Sequence, residues 1–440
     1  MSETKSKAEK AYIIAKKFVD DLAIINFNDN FYKYNGKIWE YLESDFANAM
    51  ISTNYLQEFN APLTSDIKEV VRNINNISHI SFNKQIKEAK DSSFNGDINL
   101  LDNIYNIDTD KLRDYTKNEF KFHHLSFNYD PTKKLSKDSI KLFTKFLCDI
   151  MEVDITGELD KETLLTIGFI QEWFGYSLMA GNKFHKSLIM TGGGRNGKGV
   201  LKNIWSKLIG SNNISYIDLH AINDDKYIHK TRDKLLNFST DLKHGVQLDT
   251  GVIKAAVSGE EVTSNEKYKQ QHTFNFTAKL IILCNDLPYI KTVGAAVSDR
   301  FYVLPFNKTI SAEEMDYDLS NKLEKELEGI FIWAIIGLKR LKTIGSFTPP
   351  LLVERRMKQF LYDNDNIEMF LTEQDLVYPD GKSSKVDLYA DYKNFCLSSG
   401  YKAMGRNKFY DAMKKKGFKE TRDNADRYFL GVNNVSKICF

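Results

Sequence analysis

Residues 186–210, KSLIMTGGGRNGKGVLKNIWSKLIG, constrain the fold of this chain more than any other stretch. A short apolar run leads into a glycine loop, and Val200, Leu201, Ile204, Trp205 and Leu208 then share one helical face. Strand, loop, lysine and helix follow in that order. Further on, DKLLNFSTD (233–241) and AKLIILCND (278–286) are apolar runs that end in polar residues. Strands without polar alternation are buried on both faces, which predicts a central parallel sheet and an α/β core. DRFYVLPF (299–306) reads as another strand of it and ELEGIFIWAIIGLKRLK (326–342) as a buried helix.

The loop has the spacing of a phosphate cradle, since Gly192 is followed by four residues and then Gly197-Lys198. Glycines suit such a loop because backbone N–H groups must converge on an anion, and a Cβ would block both the approach and a positive φ. A helix starting there adds its unsatisfied N–H groups and its dipole. Residues Gly192, Gly193, Gly194, Arg195, Asn196, Gly197, Lys198, Gly199 and Val200 are the expected nucleotide-binding set, with ATP and Mg²⁺ as cofactors. The plainer alternative is a glycine-rich turn that precedes a lysine. Gly199 stands where Ser or Thr is usual, so it has no hydroxyl for Mg²⁺, and a water molecule is the expected substitute.

Three residues outside the loop are candidates for catalysis. Asp241 ends the 233–241 run, 43 residues after Lys198, where an acid can hold Mg²⁺ through water, although Asp at a strand end is also an ordinary helix cap. Asn285 is placed to sense a γ-phosphate or, more simply, to make a turn before Asp-Leu-Pro. Arg300 precedes a strand and reads either as a finger reaching a neighbouring subunit's nucleotide or as a surface salt bridge.

Composition limits the class. With 440 residues, 42% hydrophobic and 27% charged, the chain has enough length for two or three domains with a large core. Its four cysteines form no CxxC pair, which favours neither a disulfide framework nor a zinc site and suits a reducing cytoplasm. Its basic N-terminus lacks the continuous apolar run of a signal peptide, and no window approaches the roughly 18 apolar residues of a membrane span, so no membrane partner is expected. The net charge of +2 is small, yet Tyr401–Phe440 carries ten Lys or Arg against four Asp or Glu. That uneven distribution points to nucleic acid at the C-terminal end.

Taken together, GGGRNGKG, the strand ending at Asp241, VIKAAVSGEEVTSNEKYKQQHTFNFTAKLIILCNDLP and VSDRFYVLPF resemble the superfamily III helicases of viral, phage and satellite replication proteins. Within them the chain resembles the phage and poxvirus primase-helicase branch. FYKYNGKIW and FNYDPTKK, and the later LYADYKNFCLSSGYKAMGRNKFYDAMKKKGF, are similar to that branch's flanking modules. The nearest resemblance is to replication initiator helicases of staphylococcal pathogenicity islands and chromosome cassettes. It implies an AAA+ type P-loop core (135–350) with a leading helical bundle, an α+β N-terminal region (1–134) and a winged-helix domain (355–440).

The resemblance also implies a ring, hexameric, with ATP between subunits. Gly192, Gly194, Asn196, Gly197 and Lys198 match its Walker A loop, Asp241 its Walker B acid, Asn285 its sensor and Arg300 its finger in trans. Lys254 and SGEEV match the motif whose following hairpin projects into the central channel, with a tip near Lys267, Lys269, Gln270 and His272. This branch often has Glu at the position of Asp241, which leaves the water-activating group open. Single-stranded DNA is the implied channel ligand, with the solvated hairpin as the alternative. No paired-carboxylate polymerase signature precedes the core, so a separate primase or host replication proteins are expected partners.

In the C-terminal module, the segment from Arg406 places Phe409, Met413 and Phe418 inward and Lys408, Lys414, Lys415 and Lys416 outward, before a strand pair. Such a face fits double-stranded DNA of a replication origin, or is simply solvated. A helicase that melts and unwinds the origin of a mobile genetic element is the leading expectation. Its rivals are an origin-binding protein switched by ATP without motor activity, and a phosphate-loop kinase or signalling ATPase.

Overall fold

The first described helix, α1 (Lys7–Asp20), starts at a capping box: Ser6 Oγ accepts from Glu9 N–H, and the Glu9 carboxylate accepts from Ser6 N–H at 2.6 Å. The computed structural model describes residues 5–27, 30–91, 96–151, 161–222, 224–240, 247–248, 250–265, 271–287, 289–290, 299–423 and 426–435. Two compact units result, one of Met1–Pro288 with Asp299–Glu354 and one of Tyr289–Ser298 with Arg355–Phe440.

In the first unit, α1 is followed by an antiparallel meander, β1 (Ile24–Phe27), β2 (Asn30–Tyr34) and β3 (Trp39–Leu42), then by α2 (Ser44–Glu58) and α3 (Thr64–Asp91). One face of the meander packs with the helices through Ile14, Phe18, Ile24, Phe31, Ile51, Tyr55 and Val70. Its other face carries Ile25, Tyr32 and Trp39 against Phe120 and Phe122. The alternation of the strands therefore buries both faces. A second meander, β4 (Asp97–Asn99), β5 (Ile104–Asn106) and β6 (Lys111–Arg113), follows.

The core then runs α4 (Lys141–Ile150), α5 (Lys161–Ser177), β7 (Ser187–Thr191), α6 (Lys198–Ile209), β8 (Ile214–Ser215), β9 (Leu236–Ser239), α7 (Thr250–Ser258), β10 (Glu261–Ser264), β11 (His272–Asn275), β12 (Lys279–Cys284), β13 (Phe301–Pro305) and α8 (Leu327–Ile344). Strands β13, β7, β12, β9 and β8 lie side by side in that order, all parallel. The expected parallel sheet is present, and β7, β9 and β12 are buried at every residue.

Aromatic packing closes this core. Phe174 of α5 stacks on Trp205 of α6 with ring centroids 4.4 Å apart, and Phe143 of α4 meets Trp333 of α8 edge-on at 5.2 Å. The indole N–H of Trp205 is satisfied by Ser177 Oγ at 2.7 Å. α5 and α8 approach closely enough that a Cβ on Gly175 would lie 2.3 Å from the Ala334 carbonyl oxygen.

In the second unit, α9 (Asn366–Glu373), β14 (Val377–Ser384), α10 (Lys385–Ser398), α11 (Arg406–Lys415), β15 (Glu420–Arg422) and β16 (Arg427–Val432) follow one another. Phe370, Leu388, Tyr392, Phe395, Phe409, Met413 and Phe429 form its core. Strand order is β14-β16-β15, antiparallel. The sequence predicts only a strand pair here. VYPDGKSS hides the third strand because Pro379 and Gly381 interrupt alternation, and its register indeed shifts between Val377 and Lys382. No helix among the described residues is long and apolar enough to cross a membrane.

Lys279, the first residue of β12, is fully buried, and its ammonium has no hydrogen-bond partner among the described residues. It lies 4.8 Å from the Tyr176 ring centroid, and burial pulls its pKa down to about 7. In the unfolded chain this lysine titrates near about 10.4, so across that interval the unfolded state holds the extra proton and stability rises with pH. Lys279→Met is therefore expected to be more stable than wild type at pH 7, by roughly 1–4 kcal/mol, with the advantage shrinking toward pH 10. Urea midpoints measured across this pH range check the direction.

Candidate functional site

The strand order puts β7 between β13 and β12, the last two strands of the sheet in sequence. The chain leaves β7 for β8 at one edge of the sheet and returns strand by strand past β7 to β13, and in open α/β sheets ligands bind outside the carboxyl ends of strands beside such a crossover. The loop of Gly192–Gly197 leaves β7 there. Its start is tied on both sides. Phe306 N–H donates to the Thr191 carbonyl at 2.7 Å, Gly192 N–H to the Cys284 carbonyl at 3.3 Å, and the Thr191 hydroxyl to the Asn285 carbonyl at 3.1 Å.

Two glycines are required by this geometry. Gly192 has φ +151°, and a Cβ on it would lie 2.2 Å from the Phe306 carbonyl oxygen. Gly197 has φ +83°, and a Cβ there would lie 2.4 Å from Ile150 Cγ2 of α4. Gly193 and Gly194 border open space instead. Arg195, with φ +59°, is held through its carbonyl, which accepts from Ile310 N–H at 2.7 Å.

Asn196 closes the loop. Its Nδ2 donates to the Gly193 carbonyl at 2.6 Å and to that of Phe306 at 3.4 Å, while Oδ1 accepts from Lys198 N–H at 3.4 Å. Gly197 is the N-cap of α6 and has no side chain to offer the first turn. Lys198 is only 7% exposed, and its ammonium donates to the carbonyls of Gly192 at 2.5 Å and Gly193 at 3.1 Å. Burial lowers its pKa from the ordinary lysine value, with Cys284 pulling the other way. The result is a cation folded onto the loop carbonyls at a helix start whose N-cap residue has no side chain, beside exposed Gly199 and half-buried Val200.

Asn285 sits beside this loop, exposed at the end of β12, whose Cys284 is in register with Thr191. Arg300 does not. Its carbonyl accepts from Ser187 N–H at 2.7 Å, at the start of β7, so it occupies the opposite end of the sheet. At about 3.3 Å per strand residue that is roughly 20 Å from the loop, beyond the reach of an arginine side chain. Asp241, Lys267, Lys269 and Gln270 lie outside the described residues. The hairpin that carries these last three is described at its base, where β10 and β11 pair from Glu261↔Asn275 to Ser264↔His272.

In the second unit, α11 presents Arg406, Lys408, Lys414 and Lys415 as exposed residues. Lys416 is different, because its ammonium bridges Asp365 and Glu368 at 2.6 Å each and is partly covered. Lys414 pairs with Glu420 at 3.2 Å, and the Arg406 guanidinium lies 5.6 Å from the Tyr389 ring. Acids on α9 and β15 thus take up part of the positive charge that the sequence places outward. Their separation in sequence hides the pairing.

A profile described as a family of unknown function (DUF5906) matches residues 190–300, the segment from β7 to Arg300. The protein named "Putative helicase 121R" of Invertebrate iridescent virus 3 is 20% identical over 371 residues, which cover 75% of this chain and 38% of that protein. "Putative helicase L207/L206" of Acanthamoeba polyphaga mimivirus is 24% identical over 201 residues, 39% of this chain and 20% of its own length. "Putative helicase 022R" of Frog virus 3 is 21% identical over 247 residues, 50% of this chain and 25% of its own. The chain spans well under half the length of these relatives. Among solved structures, "The A form apo structure of NrS-1 C terminal region-CTR" is 12% identical, with a TM-score of 0.45 over 95% of this chain and 99% of that one.

The two ends of the loop respond differently to added atoms. Gly197→Ala forces a side chain at positive φ onto Ile150 and is expected to cost about 1–3 kcal/mol. Gly199→Ser, whose Cβ meets no heavy atom within 4 Å, is expected to stay within about 0.5 kcal/mol of wild type. Urea unfolding followed by tryptophan fluorescence distinguishes the two.

Proposed function

We propose that this chain is an ATP-dependent DNA helicase and replication initiator of the superfamily III type. In this reading it belongs with the phage and poxvirus primase-helicase branch and is most like the initiators of staphylococcal pathogenicity islands and chromosome cassettes. The names of its viral relatives support a helicase-like function in general. The observation that carries the finer reading is the glycine loop at the carboxyl end of β7, with buried Lys198 folded onto its carbonyls at the start of α6.

The residues present fit a nucleoside triphosphate. Lys198 would exchange two loop carbonyls for phosphate oxygens and keep its hydrogen bonds. Gly193 and Gly194 border open space, which leaves room for an anion beside the loop backbone. Gly199 supplies no hydroxyl, so Asp241 would hold Mg²⁺ through water. When bound, ATP supplies the phosphoanhydride to be hydrolysed and Mg²⁺ offsets its charge. Asn285, beside the loop, would sense the γ-phosphate.

Arg300 supports a shared site, since it is too far from its own loop and would serve the loop of a neighbouring subunit in a ring of six. The core (135–350) would then carry the hairpin of β10 and β11, with Lys267, Lys269 and His272, into a channel holding single-stranded DNA. Residues 355–440 would bind origin duplex. Support comes from the order helix, strand, helix, helix, strand, strand, that of a winged helix, and from exposed Arg406, Lys408, Lys414 and Lys415 on α11. The region 1–134 would flank the core, and a separate primase or host replication proteins would act with it.

A forked-duplex assay tests the reading. Wild type is expected to separate the strands with ATP, and Lys198→Ala and Arg300→Ala to lose at least about 10²-fold in hydrolysis and unwinding. Mixing the two inactive variants is expected to restore part of the activity, because one subunit supplies the loop and the other the finger. Equal activity in all three proteins excludes the motor. ATP-dependent assembly without strand separation assigns an assembly switch instead.

A further inference from the structure

A second concave site lies in the first unit, away from the glycine loop. It is a cavity of about 560 Å³ walled by β3, residues 122–126, residues 212–213 and residues 229–234. That volume is in the range of small-molecule sites, roughly 300–1,000 Å³. Arg232 lines it and is only 8% exposed, yet its Nε and Nη2 have no hydrogen-bond partner among the described residues. A buried guanidinium normally spends these N–H groups on an acceptor, so two unspent ones require an explanation.

Aromatic rings flank Arg232. Its guanidinium carbon lies 4.1 Å from the centre of the Tyr41 ring and 5.1 Å from that of Phe274. Two aromatic rings thus flank a guanidinium that lines the cavity, an arrangement suited to phosphate. Lys230, exposed, adds a second cation to the lining, its ammonium 5.5 Å from the Tyr227 ring centroid. Lys234 is already bonded to the Asn212 carbonyl at 2.6 Å.

Carboxylates also line the cavity. Glu40 accepts from Asn35 Nδ2 at 2.8 Å, Glu43 is exposed, and Asp233 is held at φ +57°. Burial pushes the Asp233 carboxyl up to about 6, which weakens the negative charge it presents. His123, His124 and His229 are present too, but no three His, Cys, Asp or Glu among the described residues converge as a metal would need. An anion fits the unspent donors and a cation does not.

We propose that this cavity binds one nucleotide unit, its phosphate on Arg232 and Lys230. The phosphate could be that of a free nucleotide or of a phosphodiester in a single DNA strand, and the chemistry of recognition is shared. The site is separate from the glycine loop and does not depend on how that loop is read.

Hydrogen–deuterium exchange of the peptide covering 228–236 tests this in the full chain carrying Lys198→Ala, which removes nucleotide binding expected at the loop. The probes are dTMP, a dT pentamer with a 5′-hydroxyl, and thymidine. Either phosphate-bearing probe at ten times its Kd is expected to slow exchange by up to roughly tenfold. Slowing by dTMP assigns a free nucleotide, and slowing by the pentamer alone assigns the strand. Arg232→Leu is expected to abolish the effect and Lys230→Glu, an exposed change that spares the fold, to reduce it severalfold. No slowing with either probe, equal slowing with thymidine, or full slowing in Lys230→Glu together with Arg232→Leu overturns the proposal.

Discussion

The parallel sheet can exist only if both of its faces are covered, and the rest of the first unit follows from that requirement. β7, β9 and β12 are buried at every residue, so they must be apolar without alternation and must be flanked by helices. The aromatic interlock of Phe143, Phe174, Trp205 and Trp333 provides such cover, and Gly175 lets α5 and α8 approach. A sheet held this firmly gives its loops fixed starting points. The Thr191 and Gly192 backbone is pinned to Phe306 and Cys284 before the glycine loop begins. Precision in the loop is thus inherited from neighbouring strands, while Asn196 and the α4 contact at Gly197 set its shape.

Much of this was legible in the chain itself. Four of the five core strands and the helix after the loop are visible as apolar runs and helical periodicity, because both are local patterns, whereas β8 has only two residues and leaves no such pattern. The need for glycine at positions 192 and 197 was legible as spacing, although the partners that enforce it, Phe306 and Ile150, come from distant segments. The strand β14 escaped because Pro379 and Gly381 erase the alternation on which strand recognition rests. The cavity at Arg232 left no sequence signal at all. Its walls come from four separated segments, and no motif joins them.

Charge shows the same division. Counting lysines in the last forty residues suggests a broad positive face, and several of those lysines are indeed exposed. Yet Lys416 is spent on Asp365 and Glu368, Lys414 leans on Glu420, and buried Lys385 also pairs with Glu420. Formal charge is additive along a sequence, whereas the field at a surface depends on which opposite charges fold against it.

By itself the sequence determined an α/β core with a glycine loop between a buried strand and an amphipathic helix. Side-chain periodicity and the φ freedom of glycine are properties of a residue and its near neighbours. Tertiary structure alone decided that β7 lies between β12 and β13, that Asn285 stands beside the loop, and that Arg300 stands at the far end of the sheet. It also decided that Arg232 is buried with donors to spare. Those outcomes depend on contacts between segments tens to hundreds of residues apart, whose pairing is set by packing and hydrogen bonding across the fold and by no local pattern.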